Sequence, residues 1–198
     1  MLRKIRSSLN SNPSFIEVYD NEISLDDCQR LISLFEKYPN KGRGKVVYNG
    51  RNEQIDEIKK CIEIPDRYFS KGDVISNIIA SYLKKIINEY MQKYSELNSD
   101  YVGRWHVDDI YTFKKYETKD DGFKIWHTEQ TMGSASSRVL VWMFYLNDAK
   151  SGTEFKYFPT VDAKMGRGII WPATFTHMHR SESNKGLKYI VSGWMSFF

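Results

Sequence analysis

The spacing of apolar residues changes character near residue 100. Before that point it is helical. Leu25, Cys28, Leu31, Ile32 and Phe35 recur at intervals of three and four, the period of one helix face. Ser24 with Asp27 three residues on resembles a capping start, and Tyr38-Pro39 ends the run. A longer stripe, Val74, Ile75, Ile78, Ile79, Tyr82, Leu83, Ile86, Ile87, Tyr90, Met91 and Tyr94, predicts a helix over 73–97. Lys84, Lys85, Glu89 and Lys93 occupy its opposite side, so the stripe is expected to pack on a sheet. Ahead of these helices, FIEVYD at 15–20 reads as a short strand, and residues 1–14 read as a polar, basic tail. The Gly- and charge-rich stretch 40–54 reads as a loop or mobile hairpin, and Pro65 excludes a helix within 55–70.

From residue 101 the period becomes two. TFKKY (112–116), FKIWHTE (123–129), RVLVWMFYLN (138–147), TEFKYF (153–158), RGIIWP (167–172), TFTHMH (174–179) and LKYIVSGWMSFF (187–198) read as strands. Asp121-Gly122, Asn147-Asp148, Ser151-Gly152, Gly166 and Asn184 to Gly186 separate them as turns. Helices followed by a run of strands predict an α+β fold: a jelly-roll (double-stranded β-helix) core over 101–198, with helical support over 15–100 packed on one sheet.

Composition narrows this picture without redirecting it. A chain of 198 residues suits one domain with a sizeable core. An aromatic content of 15% suits a β-rich interior with an aromatic-walled pocket. No apolar run is long enough to cross a membrane, and MLRKIRSSLN lacks the apolar stretch of a secretory leader. A cytoplasmic protein is therefore expected, with Cys28 and Cys61 as buried free thiols. The net charge of +4 draws three of its positive residues, Arg3, Lys4 and Arg6, from the tail. Charge alone therefore does not point to nucleic acid.

The chemistry centres on His127 and Glu129. On a strand, residues two apart face the same way, so an imidazole nitrogen and a carboxylate oxygen converge on one point. That is two-thirds of a 2-His-1-carboxylate iron site. The third ligand must be another imidazole. Of the remaining histidines, His106 has no matching partner, whereas His177 and His179 share one short window after Trp171-Pro172. Strand parity cannot choose between the last two, which would lie about 6.5 Å apart along a strand. Lys188 opens the final strand, which runs apolar to Phe198; a charge entering such a strand calls for an anionic partner. Tyr145 and Tyr116 have hydroxyls that could complete an anion site.

Taken in order, these elements resemble the Fe(II)- and 2-oxoglutarate-dependent dioxygenases of the prolyl 4-hydroxylase type. The resemblance covers residues 15–198 and is densest from 112. It rests on KY at 115–116, DGFKIWHTE, RVLVWMFYLND, SGTEF at 151–155, GRGIIWPATFTHMHR and GLKYIVSGW. It implies a single dioxygenase domain over 15–198 with His127 and Glu129 as metal ligands, Glu standing where the family mostly has Asp. Lys188 follows His179 by nine positions and His177 by eleven. The family spacing of nine or ten selects His179 as distal ligand, with His177 the alternative. Lys188, Tyr145, Tyr116 and Trp194 are implied contacts of the co-substrate pocket. The implied cofactor is Fe(II), with 2-oxoglutarate and O2 as co-substrates. The implied reaction is hydroxylation of a substrate C–H, with peptidyl proline a candidate, coupled to decarboxylation of 2-oxoglutarate to succinate. Stretch 40–54 would be a loop over a peptide or small-molecule substrate. Two alternatives stand beside this. Oxidative demethylation of nucleic acid is supported only by the basic tail. A non-catalytic jelly-roll module that binds metal or ligand is opposed by the joint presence of His127, Glu129, His179 and Lys188.

Overall fold

A computed structural model of the chain describes residues 13–48, 51–182 and 185–198. Most of the expected tail, part of stretch 40–54 and part of the 184–186 turn lie outside the described residues. Two helices form where the stripes predict them. Helix α1 (Leu25–Lys37) is capped by Ser24, whose hydroxyl accepts from Asp27 N at 3.2 Å. Helix α2 (Val74–Lys93) is capped by Asp73 through Ser76 N at 2.8 Å. It stops short of residue 97, where a 3₁₀ turn, Ser95–Asn98, continues the chain. No helix among the described residues is long and apolar enough to cross a membrane.

The strands are β1 (Glu17–Tyr19), β2 (Gly42–Arg43), β3 (Val46–Tyr48), β4 (Arg51–Glu53), β5 (Lys59–Lys60), β6 (Ile62–Tyr68) and β7 (Trp105–Tyr116). They continue as β8 (Gly122–Phe123), β9 (Arg138–Tyr145), β10 (Thr153–Phe155), β11 (Gly168–Pro172), β12 (His179–Ser181) and β13 (Lys188–Phe197). A seven-stranded antiparallel sheet runs β1-β11-β9-β13-β7-β6-β2. The short pairs β5-β8 and β10-β12, joined by a bridge between His127 and His179, lie across its other face. The result is α+β with a double-stranded β-helix core.

Alternation along the central strands sorts side chains into two interiors. Tyr111 and Phe113 of β7, Leu140, Trp142 and Phe144 of β9, and Tyr189, Val191 and Met195 of β13 join one cluster with Leu31, Phe35, Ile79, Leu83 and Ile86 of the helices. Tyr116, Val141, Met143, Tyr145 and Ile190, one residue out of phase, form the barrel interior with Phe155 and Trp171. Gly193 permits this packing, since a Cβ there would meet the Trp142 ring at 2.5 Å.

Two expectations need correction. Residues 124–130 do not form a regular strand. Residues 174–178 do not either, because Phe175–His177 is a 3₁₀ turn. Stretch 55–70 holds no helix, as Pro65 implies, and contains the strand β6. Pro65 sits where the β6–β7 register shifts between Ile64 and Arg67, so its missing N–H interrupts no regular ladder.

Candidate metal centre

His127 and Glu129 lie on a segment pinned by backbone bonds rather than paired as a strand. His127 N donates to His179 O at 3.0 Å and His179 N to His127 O at 2.9 Å. Glu129 N and Gln130 N both donate to Ala173 O, at 3.1 and 2.9 Å. The Thr128 hydroxyl donates to the same carbonyl at 2.5 Å. This docking aims both side chains at β12, where His179 faces them. Glu129 Oε1 lies 3.6 Å from His127 Nε2 and 3.6 Å from His179 Nε2. These separations are too long for hydrogen bonds. They suit two ligands of one ion, which sit roughly 3–3.6 Å apart when each bond is about 2.1 Å.

The surroundings set each donor atom. His127 Nδ1 meets Ile125 O at 3.0 Å, and His179 Nδ1 meets His177 O at 3.1 Å. Each Nδ1 therefore carries the proton, and each Nε2 turns a lone pair to the centre. Burial, with His127 adding to it, pushes the His179 pKa down and keeps that ring neutral. Burial also pushes Glu129 up, but positive charge at the centre, from protons on the two imidazoles or from a cation in their place, offsets it and holds the carboxyl well below its ordinary range. Its outer oxygen, Oε2, accepts from Trp194 Nε1 at 2.9 Å and from Arg138 at 3.3 Å, which leaves Oε1 for the ion. The Arg138 guanidinium lies 3.7 Å over the Trp194 ring. Phe123 stacks on His127 at 3.6 Å, and Trp171 meets His179 edge-on at 5.1 Å. Two neutral imidazoles and one ionised carboxylate, each oriented by an outer partner, fit a divalent first-row cation.

His177 is not part of this cluster. The 3₁₀ turn rotates it away, so Nε2 meets Ser14 O at 2.7 Å and the ring stacks on Phe158 at 4.9 Å. His106 stacks on Phe198 and is not one of the three clustered residues.

Farther along the barrel, Lys188 is 2% exposed, and its ammonium donates to the Gly152 carbonyl at 3.5 Å. Its ammonium lies 5.0 Å over the Tyr116 ring. Burial pushes its pKa down to about 8, with Glu182 opposing. Among the described residues no carboxylate lies within ion-pair distance of Lys188. Tyr145 shares a 2.6 Å hydrogen bond with Thr153 beside it. Gly152 is required by close approach, since a Cβ would lie 2.0 Å from Val161 O. A buried ammonium without a counter-ion, flanked by hydroxyls, fits a carboxylate.

Lys188, Tyr116 and Tyr145 thus gather at one end of the barrel, and Trp194 stands at the metal end against Glu129. Arg138, which meets the same oxygen of Glu129, is a site residue that the HxE and distal-His pattern does not point to. Its signal was the one Lys188 gave, a charge opening an otherwise apolar strand.

No protein-family profile and no curated protein matches the sequence. Solved structures do match in fold. Viral collagen prolyl hydroxylase from Paramecium Bursaria Chlorella virus-1, as its 2OG complex, gives a TM-score of 0.65 at 15% identity, covering 93% of this chain and 97% of that one. A prolyl hydroxylase from Trichoplax adhaerens, in complex with a hypoxia inducible factor oxygen degradation domain peptide fragment, gives 0.67 at 13% identity, covering 95% and 85%. A Pseudomonas putida prolyl-4-hydroxylase gives 0.63 at 10% identity, covering 93% and 94%.

Proposed function

We propose that residues 15–198 form a single Fe(II)- and 2-oxoglutarate-dependent dioxygenase domain that hydroxylates a substrate C–H, with peptidyl proline as the first substrate to test. One observation carries the proposal. A 2-His-1-carboxylate cluster and a buried lysine with no carboxylate at ion-pair distance among the described residues face into the same barrel. The folds it shares are those of prolyl hydroxylases, one bound to 2OG and one to a peptide.

The roles follow from the atoms. His127 Nε2, Glu129 Oε1 and His179 Nε2 would hold the ion. Bound iron and 2-oxoglutarate supply the oxidation: O2 is consumed, 2-oxoglutarate loses CO2 to become succinate, and one C–H becomes C–OH. Lys188 pairs with the distal carboxylate of 2-oxoglutarate, and the Tyr145–Thr153 hydroxyls add hydrogen bonds. Trp194 and Arg138 hold the outer oxygen of Glu129 and so turn the other toward the ion. Phe123, Phe155 and Trp171 keep water from the imidazoles. Ile125, Met132 and Phe175 are exposed at 45%, 92% and 74% beside the ligand-bearing segments, an apolar rim suited to a peptide.

The test is anaerobic titration of Fe(II) with 2-oxoglutarate. The wild type is expected to give the visible charge-transfer band of the chelate and, once O2 is admitted, to form succinate with a proline-rich peptide. His127→Ala and His179→Ala are expected to lose the band, and His177→Ala to keep it. A band that survives His127→Ala sinks the assignment.

A further inference from the structure

Lys114 is a second cation on the barrel side of the sheet, and the proposed reaction leaves it without a task. It lies on β7 between Thr112 and Tyr116, in phase with both. Its ammonium donates to Ser192 Oγ at 2.9 Å, and Ser192 Oγ lies 3.3 Å from Thr112 Oγ1. Ser192 stands four residues after Lys188 on β13, about 13 Å along the strand, and two before Trp194, which holds Glu129. The two lysines therefore serve different positions, Lys114 the one nearer the metal.

The carboxylate that would ordinarily neutralise Lys114 is already taken. Glu63 receives Lys59 Nζ at 2.6 Å on one oxygen and Lys45 N at 3.0 Å on the other. Lys59 also donates to Lys45 O at 3.0 Å. Lys59 and Glu63 close on each other as a buried pair, 9% and 5% exposed at their side chains. Among the described residues no carboxylate lies within 4 Å of Lys114. Burial pushes its pKa down and Lys59 adds to that, while Glu63 and Glu129 oppose it. With Glu129 committed to the His127–His179 cluster, the two ammonium groups and the carboxylate of Glu63 leave one positive charge at this corner. Lys59 and Glu63 are buried and Lys114 is half-buried; charges drawn out of water are ordinarily paired, so an anion is what this corner lacks.

We infer that Lys114 and Ser192, backed by the Lys59–Glu63 pair, form a second carboxylate seat in the barrel, on the metal side of Lys188. The inference rests on the proposed function for what fills the seat: the 1-carboxylate of the 2-oxo acid or an acid group on the acceptor substrate. An ammonium beside a hydroxyl recognises either in the same way.

Binding to the full chain loaded with Mn(II) separates these sources and tests the seat. The probes are 2-oxoglutarate, 2-oxobutyrate (which lacks the distal carboxylate) and acetate, the last titrated with and without 2-oxoglutarate present. Lys188→Met is expected to weaken 2-oxoglutarate and spare 2-oxobutyrate. Lys114→Met, close in shape and uncharged, is expected to weaken both 2-oxo acids on the order of tenfold to a hundredfold if their 1-carboxylate fills the seat. If an acceptor acid fills it, Lys114→Met leaves both unchanged and removes acetate binding to the 2-oxoglutarate-loaded protein. Ser192→Ala is expected to shift the same probe in the same direction by less, and thermal melts show that each variant folds. Should Lys114→Met bind all three probes as the wild type does, the seat does not exist. If the wild type binds no 2-oxo acid, the proposed reaction fails, and the acetate titration without 2-oxoglutarate alone decides the seat.

Discussion

Phe113 and Lys114 are consecutive residues of one strand that face different worlds. Phe113 is fully buried toward the helices, its ring 4.7 Å from that of Phe35. Lys114 points the other way, to Ser192 and the barrel. The same division runs through β13, where Tyr189, Val191 and Met195 face the helices while Lys188, Ser192 and Trp194 face the barrel. On the helix side the large sheet presents apolar and aromatic side chains that need only fit. On the barrel side the alternation is broken by lysines, hydroxyls and a tryptophan whose N–H is spoken for. A single sheet thus has one face that holds the fold and one that holds the chemistry. Substitutions on the two should separate stability from binding.

The largest effect on stability is expected on the helix face. Phe113→Ala removes a ring from close-packed surroundings and should cost about 3–5 kcal/mol, a large share of the roughly 5–15 kcal/mol that holds a domain together. Metal affinity, measured at a temperature where the variant remains folded, should stay near the wild-type value. A matched loss of metal binding would show that the two faces are not separable.

How far the sequence reveals these faces depends on which face is read. The helix side is legible because apolar periodicity is a direct record of packing. The stripe from Val74 to Tyr94 places α2, and RVLVWMFY places the central strand. Lys188, His127, Glu129 and His179 are legible through their order and spacing. What is hidden follows a physical pattern. Strand β6 is masked because Pro65 and the charges of Glu63 and Arg67 disturb its alternation, and only pairing with β7 makes it a strand. The choice between His177 and His179 cannot be made from parity, since the 3₁₀ turn that separates them breaks the extended geometry on which parity depends. Lys59, Lys114 and Arg138 read as solvent-facing charges because burial of a charge is decided by partners distant in sequence.

Lys188 gives the next contrast. A buried cation without a counter-ion burdens the folded state, so its proton is held less tightly there than in the unfolded chain. Its pKa falls from its ordinary value of 10.5 to about 8. Between those limits the unfolded chain keeps a proton that the folded one has lost, so this group's contribution to stability rises as pH climbs from about 8 to about 10.5, by about 3 kcal/mol at most. Below about 8 that contribution is absent. Lys188→Met should remove this pH dependence without a loss of stability at neutral pH. Affinity for 2-oxoglutarate should move the opposite way, falling as pH rises above about 8 in the wild type and staying flat in the variant. Denaturant melts and ligand titrations across this range check both slopes.

The smallest effect is expected where the barrel face meets the metal. Trp194 donates to Glu129 Oε2 while Arg138 lies over its ring. Trp194→Phe keeps an aromatic surface under the guanidinium but deletes the N–H that turns the carboxylate. Loss of a hydrogen bond to a ligating group typically lowers metal affinity about 10–100-fold, and the remaining Arg138 contact at 3.3 Å should hold the loss near the lower figure, about tenfold. The variant should saturate at higher Fe(II) and then recover the wild-type charge-transfer spectrum with 2-oxoglutarate, because the three donor atoms remain. If it instead binds iron as tightly as the wild type, Arg138 alone orients the carboxylate, and the tryptophan belongs to the packing of the barrel rather than to its metal centre.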